Sequence, residues 1–164
     1  MDLKDIAAVS EKGGLYKVIK PTRTGVILES LDEKKKKLVA NASSRVSILK
    51  EISIYTTGAE SSIMLEEVFD RIHDEYGKEL NIKPKSSKNE LEDFISEVVP
   101  NYDPDKVYMS DVKKLISWYQ RIAQFAPEVL EQESSDDEEE TPKTKPSSTA
   151  TKKKTSKEKD STKK

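Results

Sequence analysis

The sequence predicts an α+β protein: a small antiparallel SH3-like β-barrel, then a three-helix unit, then a disordered charged tail. Three observations predict this class. Short runs of β-branched and aromatic residues fill the first 57 residues, apolar residues recur at helical spacing between 62 and 126, and the last segment has almost no apolar side chains. The predicted boundaries are 1–57 for the barrel, 58–127 for the helices and 128–164 for the tail.

The β half is predicted from four short runs separated by turn residues. They are GLYKVIKPT at 14–22, GVILESLD at 25–32, KLVANAS at 37–43 and a strand at 52–56. The leading DLKDIAAVS is interpreted as a short helix with Leu3, Ile6 and Ala7 on one side. A sheet this small buries only about 60% of its surface, so we expect it to pack against the helical half.

Three helices are predicted after the sheet. The first covers SIMLEEVFDRIHDEYG, and Gly77 fits its end. The second opens on Ser87 and Glu90, which have capping-box spacing, and Pro100 stops it. The third ends before Pro127 and has the clearest apolar stripe, formed by Val112, Leu115, Ile116, Tyr119, Ile122, Ala123 and Ala126.

Four stretches resemble a known bacterial family. They are MDLKDI at the start, GLYKV at 14–18, EISIYT at 51–56 and NYDPDKVYMSDVKKLISWY at 101–119. Between residues 2 and 124 the chain resembles an uncharacterised family, found mainly in Bacteroidetes, made of two adjacent domains of unknown function. The resemblance implies a two-part architecture. It implies no activity and no functional residue.

The 101–119 stretch looks at first like a calcium loop. Asp103 and Asp105 stand at the first and third positions of an EF-hand, but valine, tyrosine and lysine stand where the fifth, sixth and twelfth positions need a ligand, glycine and glutamate. Turn and helix-entry chemistry explains the polar residues better. The aspartates favour a turn, Ser110 is the predicted N-cap of the third helix, and Asp111 suits its first turn.

Catalytic residue types are scarce. The sequence has no cysteine, and its single histidine, His73, is interpreted as a surface residue on the first helix. None of the five glycines belongs to a phosphate-binding motif. We therefore predict that the chain is not an enzyme and needs no metal or cofactor. An enzyme that uses carboxylates with Tyr108 or His73 is the least favoured alternative.

A protein partner, which the sequence does not identify, is the leading expectation. The candidate contacts are the aromatic residues of the 101–119 stretch, Trp118, Tyr119, Tyr108 and Tyr102. Trp118 lies on the flank of the third helix's apolar stripe, where a tryptophan either packs against a second element or anchors a partner. We favour packing against the β half, with partner contact as the alternative.

Nucleic acid is the alternative partner. Removing the nine lysines and ten acids of the tail leaves 20 basic and 21 acidic residues, so the folded part has no global attraction for polyanions. The strongest local cluster is Lys34, Lys35, Lys36 and Lys37. With Arg23 and Lys20 as its extension, and with the lysine block at 143–164, this cluster indicates RNA or ribosome association. Few aromatics in the β half argue against base stacking.

Targeting signals are not evident. The start lacks the basic and apolar regions of a signal peptide. No stretch approaches the roughly 20 apolar residues that a membrane helix needs. We expect a cytoplasmic protein without membrane contact.

Overall fold

Seven strands and three α-helices follow one another in residues 1–131, the part of the chain that the computed structural model describes. The strands are β1 (Ile6–Val9), β2 (Lys12–Thr22), β3 (Gly25–Ser30), β4 (Lys37–Asn41), β5 (Val46–Ile48), β6 (Ser53–Tyr55) and β7 (Ser62–Met64). The helices are α1 (Leu65–Tyr76), α2 (Lys88–Val98) and α3 (Met109–Phe125). Single 3-10 turns cover Leu3–Asp5, Leu49–Glu51 and Pro127–Val129.

The first five strands form an antiparallel sheet in the order β4-β3-β2-β1-β5. β2 is eleven residues long and shifts register between Val18 and Lys20, which bends it. No ladder joins β4 to β5 within residues 1–131, so the predicted barrel is found as an open sheet. The chain leaves β5 through the turn at Leu49, whose buried side chain belongs to the core shared with the helices.

The prediction of a short leading helix is wrong. Leu3–Asp5 forms one 3-10 turn, and the following residues form β1. The predicted inner side chains, Leu3, Ile6 and Ala7, are nevertheless all buried. β1 has strand partners on both sides, β2 and β5, which supply backbone hydrogen bonds that a helix this short cannot make cooperatively.

The first predicted helix begins later than its sequence pattern indicates. Residues 62–64 form β7, in which Ile63 lies opposite Ile54 of β6, and α1 begins at Leu65. α1 ends as predicted at Gly77, which has a φ of 65° and donates its N–H to the His73 carbonyl at 2.8 Å. The strand pairing explains the late start, because it engages the backbone of the residues before Leu65.

The capping box of α2 is confirmed. The Ser87 N–H donates to Glu90 Oε2 at 2.8 Å, and the Glu90 N–H donates to Ser87 Oγ at 3.4 Å. The Ser87 N–H, and then the Ser87 hydroxyl at 2.9 Å, donate to this carboxylate and lower the pKa of Glu90. Pro100 follows the end of the helix at Val98. The sequence therefore predicted both ends of α2.

The predicted N-cap of α3 is wrong by two residues. α3 begins at Met109 with Tyr108 as its N-cap, so Ser110 lies in the first turn. The Asp111 carboxylate accepts the Tyr108 N–H at 3.2 Å. Asp111 is the third residue of the helix, and its carboxylate accepts the N–H of the N-cap residue, as the acidic residue of a capping box does. This bond and its negative charge in the first turn determine the helix start more strongly than the hydroxyl of Ser110 does.

A single large core joins the sheet to the helices. Leu15 of β2 and Leu49 pack in the same cluster as Phe69 of α1, Ile95 of α2 and Ile116 of α3. A second, much smaller cluster consists of Val9, Leu28 and Ala40 in the sheet. The expectation that the sheet packs against the helical half is therefore confirmed.

The packed chain continues beyond the predicted start of the tail at residue 128. Val129 and Leu130 are buried in the large core. Residues 132–164, which carry the acidic and basic blocks of the predicted tail, lie outside the described residues. The division of the folded part into 1–57 and 58–127 stays a prediction.

Candidate protein-binding groove

A mostly apolar groove lies between β6 and the first half of α3. Its volume is about 240 Å³. Its main apolar lining consists of Ile52, Ile54, Val107, Val112, Leu115 and Trp118. The charged residues along it are Lys106, Lys114 and Asp111. We call this feature the β6–α3 groove.

The turn before α3 contributes Lys106 and Val107 to the lining of the groove. The Val107 N–H donates to the Asp103 carbonyl at 2.9 Å, and the Asp105 N–H donates to Asp103 Oδ1 at 3.0 Å. This is the predicted turn chemistry, and it directs the buried Val107 side chain into the core. In residues 1–131 no group of three or more His, Cys, Asp or Glu side chains is arranged to hold a metal ion.

The same turn brings a short segment against β6. Tyr102 forms an antiparallel bridge with Thr56, next to the end of β6. The Asp103 N–H donates to the Tyr55 carbonyl at 2.9 Å, and the Thr57 N–H donates to the Asn101 carbonyl at 2.8 Å. Tyr102, a predicted partner contact, is half-buried at this bridge.

Trp118 lies where α3 meets the β half. It is half-buried against the large core and lines the β6–α3 groove together with Ile52 and Ile54. A second cavity, of about 320 Å³, adjoins the groove because it shares Trp118, Ile52 and Lys114, and it extends toward Gly14 in β2. Trp118 thus contributes to internal packing and also forms part of an open surface.

Large exposed side chains lie in the lining of the groove or next to it in sequence or strand register. Tyr55 is 51% exposed and Tyr108 is 63% exposed, and Met64, opposite Ser53 in the β6–β7 register, is 46% exposed. The Lys106 ammonium lies 5.1 Å from the centre of the Tyr55 ring, within range of a cation–π contact. Sequence reasoning selected Tyr108 but missed Tyr55 and Met64, since neither lies in the distinctive 101–119 stretch.

Tyr119 has a structural position. Its side chain is fully buried, so in this conformation it cannot meet the partner that sequence reasoning assigned to it. Its hydroxyl donates to the Gly77 carbonyl at 2.5 Å and lies 3.2 Å from Nδ1 of His73, which is half-buried. Burial, with a smaller effect of Asp74, raises the pKa of Tyr119 to about 12. Tyr119 therefore ties α3 to the end of α1.

Two further groups with raised pKa values, Tyr76 and Glu75, lie on α1 near Glu97 of α2. The Tyr76 hydroxyl donates to the Glu97 carboxylate, and burial followed by that hydrogen bond raises the pKa of Tyr76 well above its ordinary value. The pKa of the exposed Glu75 is also raised, by desolvation and by Glu97. These three residues are not part of the β6–α3 groove lining.

Lys34, Lys35 and Lys36 of the lysine cluster occupy the turn between β3 and β4, and Lys37 begins β4. Asp32 Oδ1 organises this turn by accepting the N–H groups of Lys34 at 2.9 Å and Lys35 at 3.0 Å. The Ser30 hydroxyl, and then these N–H groups, lower the pKa of Asp32. Sequence reasoning missed Arg121 of α3, which shares a cavity with Asp32 and Lys34. The surface here mixes both signs of charge.

The prediction that Arg23 extends this cluster is wrong. Arg23 lies in the turn between β2 and β3, whereas Lys34 to Lys36 lie in the turn between β3 and β4. Successive turns of an antiparallel sheet lie at opposite ends of the shared strand, and six residues of β3 span about 20 Å. Across β3, Glu29 instead lies between Lys17 and Lys37.

Two family models match the chain one after the other. They are Domain of unknown function (DUF5606), over residues 3–49, and Domain of unknown function (DUF6852), over residues 52–122. A solution NMR structure of a protein from Bacteroides vulgatus, a structural genomics target, is 36% identical, with a TM-score of 0.60. The match covers 74% of this chain and 85% of that one. This chain belongs to that two-domain family. The search of curated proteins gave no match.

The resemblance to a Bacteroidetes family of two adjacent domains is thus confirmed. The 3-10 turn Leu49–Glu51 lies at the junction of the DUF5606 and DUF6852 matches. The lysine cluster lies in the DUF5606 match, and the β6–α3 groove lies in the DUF6852 match. No helix within residues 1–131 is long and apolar enough to cross a membrane.

Proposed function

We propose that this chain is a non-enzymatic protein-interaction module that binds a partner protein through the β6–α3 groove. One observation carries the proposal. Of the five large apolar residues that are exposed in residues 1–131, Tyr55 lines this groove and two more lie next to its lining. Tyr108 follows the lining residue Val107, and Met64 lies opposite the lining residue Ser53. Exposed aromatic and methionine side chains around an apolar depression are characteristic of protein–protein interfaces.

Trp118 supports the proposal as an anchoring surface. Tryptophan is enriched among the residues that dominate binding energy, particularly where surrounding side chains exclude water. Here Ile54 and Leu115 flank it in the groove, and the α3 backbone holds its position. An apolar side chain of the partner would therefore contact a preformed surface, which reduces the entropy lost on binding.

Site-specific photo-crosslinking in cells tests the proposal. A photoreactive amino acid replaces Tyr55 or Tyr108 in the intact chain, and the matched control replaces Val39, which is 59% exposed on the sheet. We expect a discrete protein adduct from both groove positions and none from position 39. Equal labelling from all three positions, or labelling from position 39 alone, contradicts the proposal.

RNA or ribosome association is the second candidate, favoured by the exposed Lys34–Lys36 turn and by Arg121 beside it. If it holds, changing Lys35 and Lys36 to glutamate weakens RNA binding and flattens its salt dependence. Arg23→Glu is the matched control, because Arg23 lies at the other end of β3. Binding that is independent of salt, or equally sensitive to both changes, contradicts this candidate. The lysine block at 143–164 lies outside the described residues.

We also propose an SH3-like sheet, two separate units and a cytoplasmic location. An SH3-like sheet is supported by the position of β1 between β2 and β5 and by the bend in β2. Separate units at 1–57 and 58–127 are supported by the two family matches. A cytoplasmic location is supported by the absence of cysteine, which suits a reducing compartment. Cell fractionation tests the location.

A further inference from the structure

We infer that the β6–α3 groove takes its partner as an extended strand that adds to the outer edge of β6; this inference rests on the proposed function. The backbone direction of β6 is the first step. The Ile52 carbonyl accepts the Leu65 N–H at 2.9 Å. The backbone N–H and carbonyl groups of the even-numbered residues along β6 therefore face β7. Because ladder groups alternate along an antiparallel strand, the backbone groups of Ser53 and Tyr55 face away from β7.

The outer edge of β6 already pairs with one short segment. The Tyr55 carbonyl accepts the Asp103 N–H, but the Asp103 carbonyl accepts the N–H of Val107 in the following turn. The chain therefore turns into α3 after a single bridge. No backbone partner within residues 1–131 pairs with the Tyr55 N–H or with the N–H and carbonyl of Ser53. A partner strand would continue the line of residues 101–103.

The groove beside this edge indicates the chemistry of the strand. Alternate side chains of an added strand point toward α3, where the lining is apolar. Lys106 and Lys114 border the groove with exposed ammonium groups, whose contacts to Asp103 and Asp111 are long, at 4.0 and 3.7 Å. The carboxylates of both aspartates accept backbone N–H groups nearby. The occupant is therefore an extended protein segment with an apolar residue flanked by acidic residues.

An N-methyl scan tests this mode of binding. The probe is a synthetic octapeptide selected for binding to the intact chain from a displayed library of random sequences. Each of its amides is methylated in turn, and the affinities are measured by titration calorimetry. The outer edge of β6 offers one free carbonyl to an added strand, that of Ser53, because the Tyr55 carbonyl already accepts the Asp103 N–H. We therefore expect a loss of about tenfold at one methylated position and little change at the others.

A backbone change in the protein gives an independent measurement. Ser53→Pro removes the N–H that faces the groove, and the preceding Ile52, at φ −82° and ψ 140°, already has the conformation that proline requires of its neighbour. We expect this variant to bind the octapeptide about tenfold more weakly. Ser53→Ala keeps the N–H and is the matched control, with unchanged affinity.

The outcomes separate the two proposals. A flat N-methyl scan, with binding that is lost in Tyr55→Ala, overturns strand addition and leaves the groove as a protein-binding site. A library that yields no peptide sensitive to Tyr55→Ala or Trp118→Ala overturns the proposed function and the strand addition with it. A selected peptide without acidic residues, insensitive to Lys106→Ala and Lys114→Ala, overturns the stated chemistry of the occupant.

Discussion

The two sides of α3 differ in what covers them. Ile116, Tyr119 and Ile122 are completely buried in the core, whereas Lys114 and Trp118, one helical turn apart, border the open groove. Both sets recur at three- or four-residue spacing, so each occupies its own side of the same helix. The comparison separates a side that stabilises the fold from a side that lines an open groove.

The largest effect is expected on the buried side. Ile116→Ala removes a fully buried side chain from the centre of the large core and leaves a cavity there. We expect the free energy of unfolding to fall by about 2–5 kcal/mol. Urea denaturation of the intact chain measures it. If the free energy of unfolding changes by less than about 1 kcal/mol, Ile116 behaves like an ordinary surface residue. That result would contradict the difference between the two sides of α3.

A smaller effect is expected from the polar end of Tyr119. Tyr119→Phe removes its hydrogen bond to the Gly77 carbonyl and should cost about 1 kcal/mol. The substitution also changes how the free energy of unfolding depends on pH in the alkaline range. Because the pKa is about 12 in the fold and 10 in the unfolded chain, the unfolded chain loses its proton first, and stability falls as pH rises above 10. Denaturation between pH 9 and 11 should show a shallower fall in Tyr119→Phe. An unchanged slope contradicts the assignment.

The start of α3 tests which residue caps the helix. Asp111→Ala removes the acceptor of the Tyr108 N–H and a negative charge in the first turn, at a cost of about 0.5–1 kcal/mol. Ser110→Ala should leave stability almost unchanged, because Ser110 is exposed and lies inside the helix. Thermal unfolding compares the two variants. The reverse order of effects would restore Ser110 as the cap.

The smallest effect on stability is expected on the groove side. Tyr108→Ala changes an exposed side chain, and we expect the free energy of unfolding to stay within about 0.5 kcal/mol of the unaltered chain. Binding of the partner should nevertheless weaken. Denaturation and crosslinking yield, measured on the same preparation, check both halves of this prediction. A large loss of stability would make Tyr108 a structural residue.

Sequence patterns predicted the helices well because their signals are local. The Ser87–Glu90 capping box and Gly77 act through hydrogen bonds and backbone angles within a few residues. The prediction for the leading DLKDIAAVS was wrong because its pattern of apolar residues fits a helix and a buried strand equally. Its strand partners, β2 and β5, determine the outcome, and β5 is about forty residues away in the sequence.

The candidate site was predicted only in part for the same reason. Trp118 and Tyr108 stand in a distinctive stretch. Tyr55 joins the groove only when β6 lies beside α3, and Met64 comes next to the lining residue Ser53 only when β6 and β7 pair. The error over Arg23 is different. The strand and turn predictions already placed Arg23 and Lys34 in successive turns, and the alternation of turns in an antiparallel sheet separates them.

By itself the sequence determined the helices, the order of β and α halves, and the scarcity of catalytic residue types, because composition and short-range periodicity express these directly. Tertiary structure alone decided that β6 keeps part of its outer edge open and that a groove forms beside Trp118. These features depend on contacts between residues distant in the chain, which no local pattern encodes.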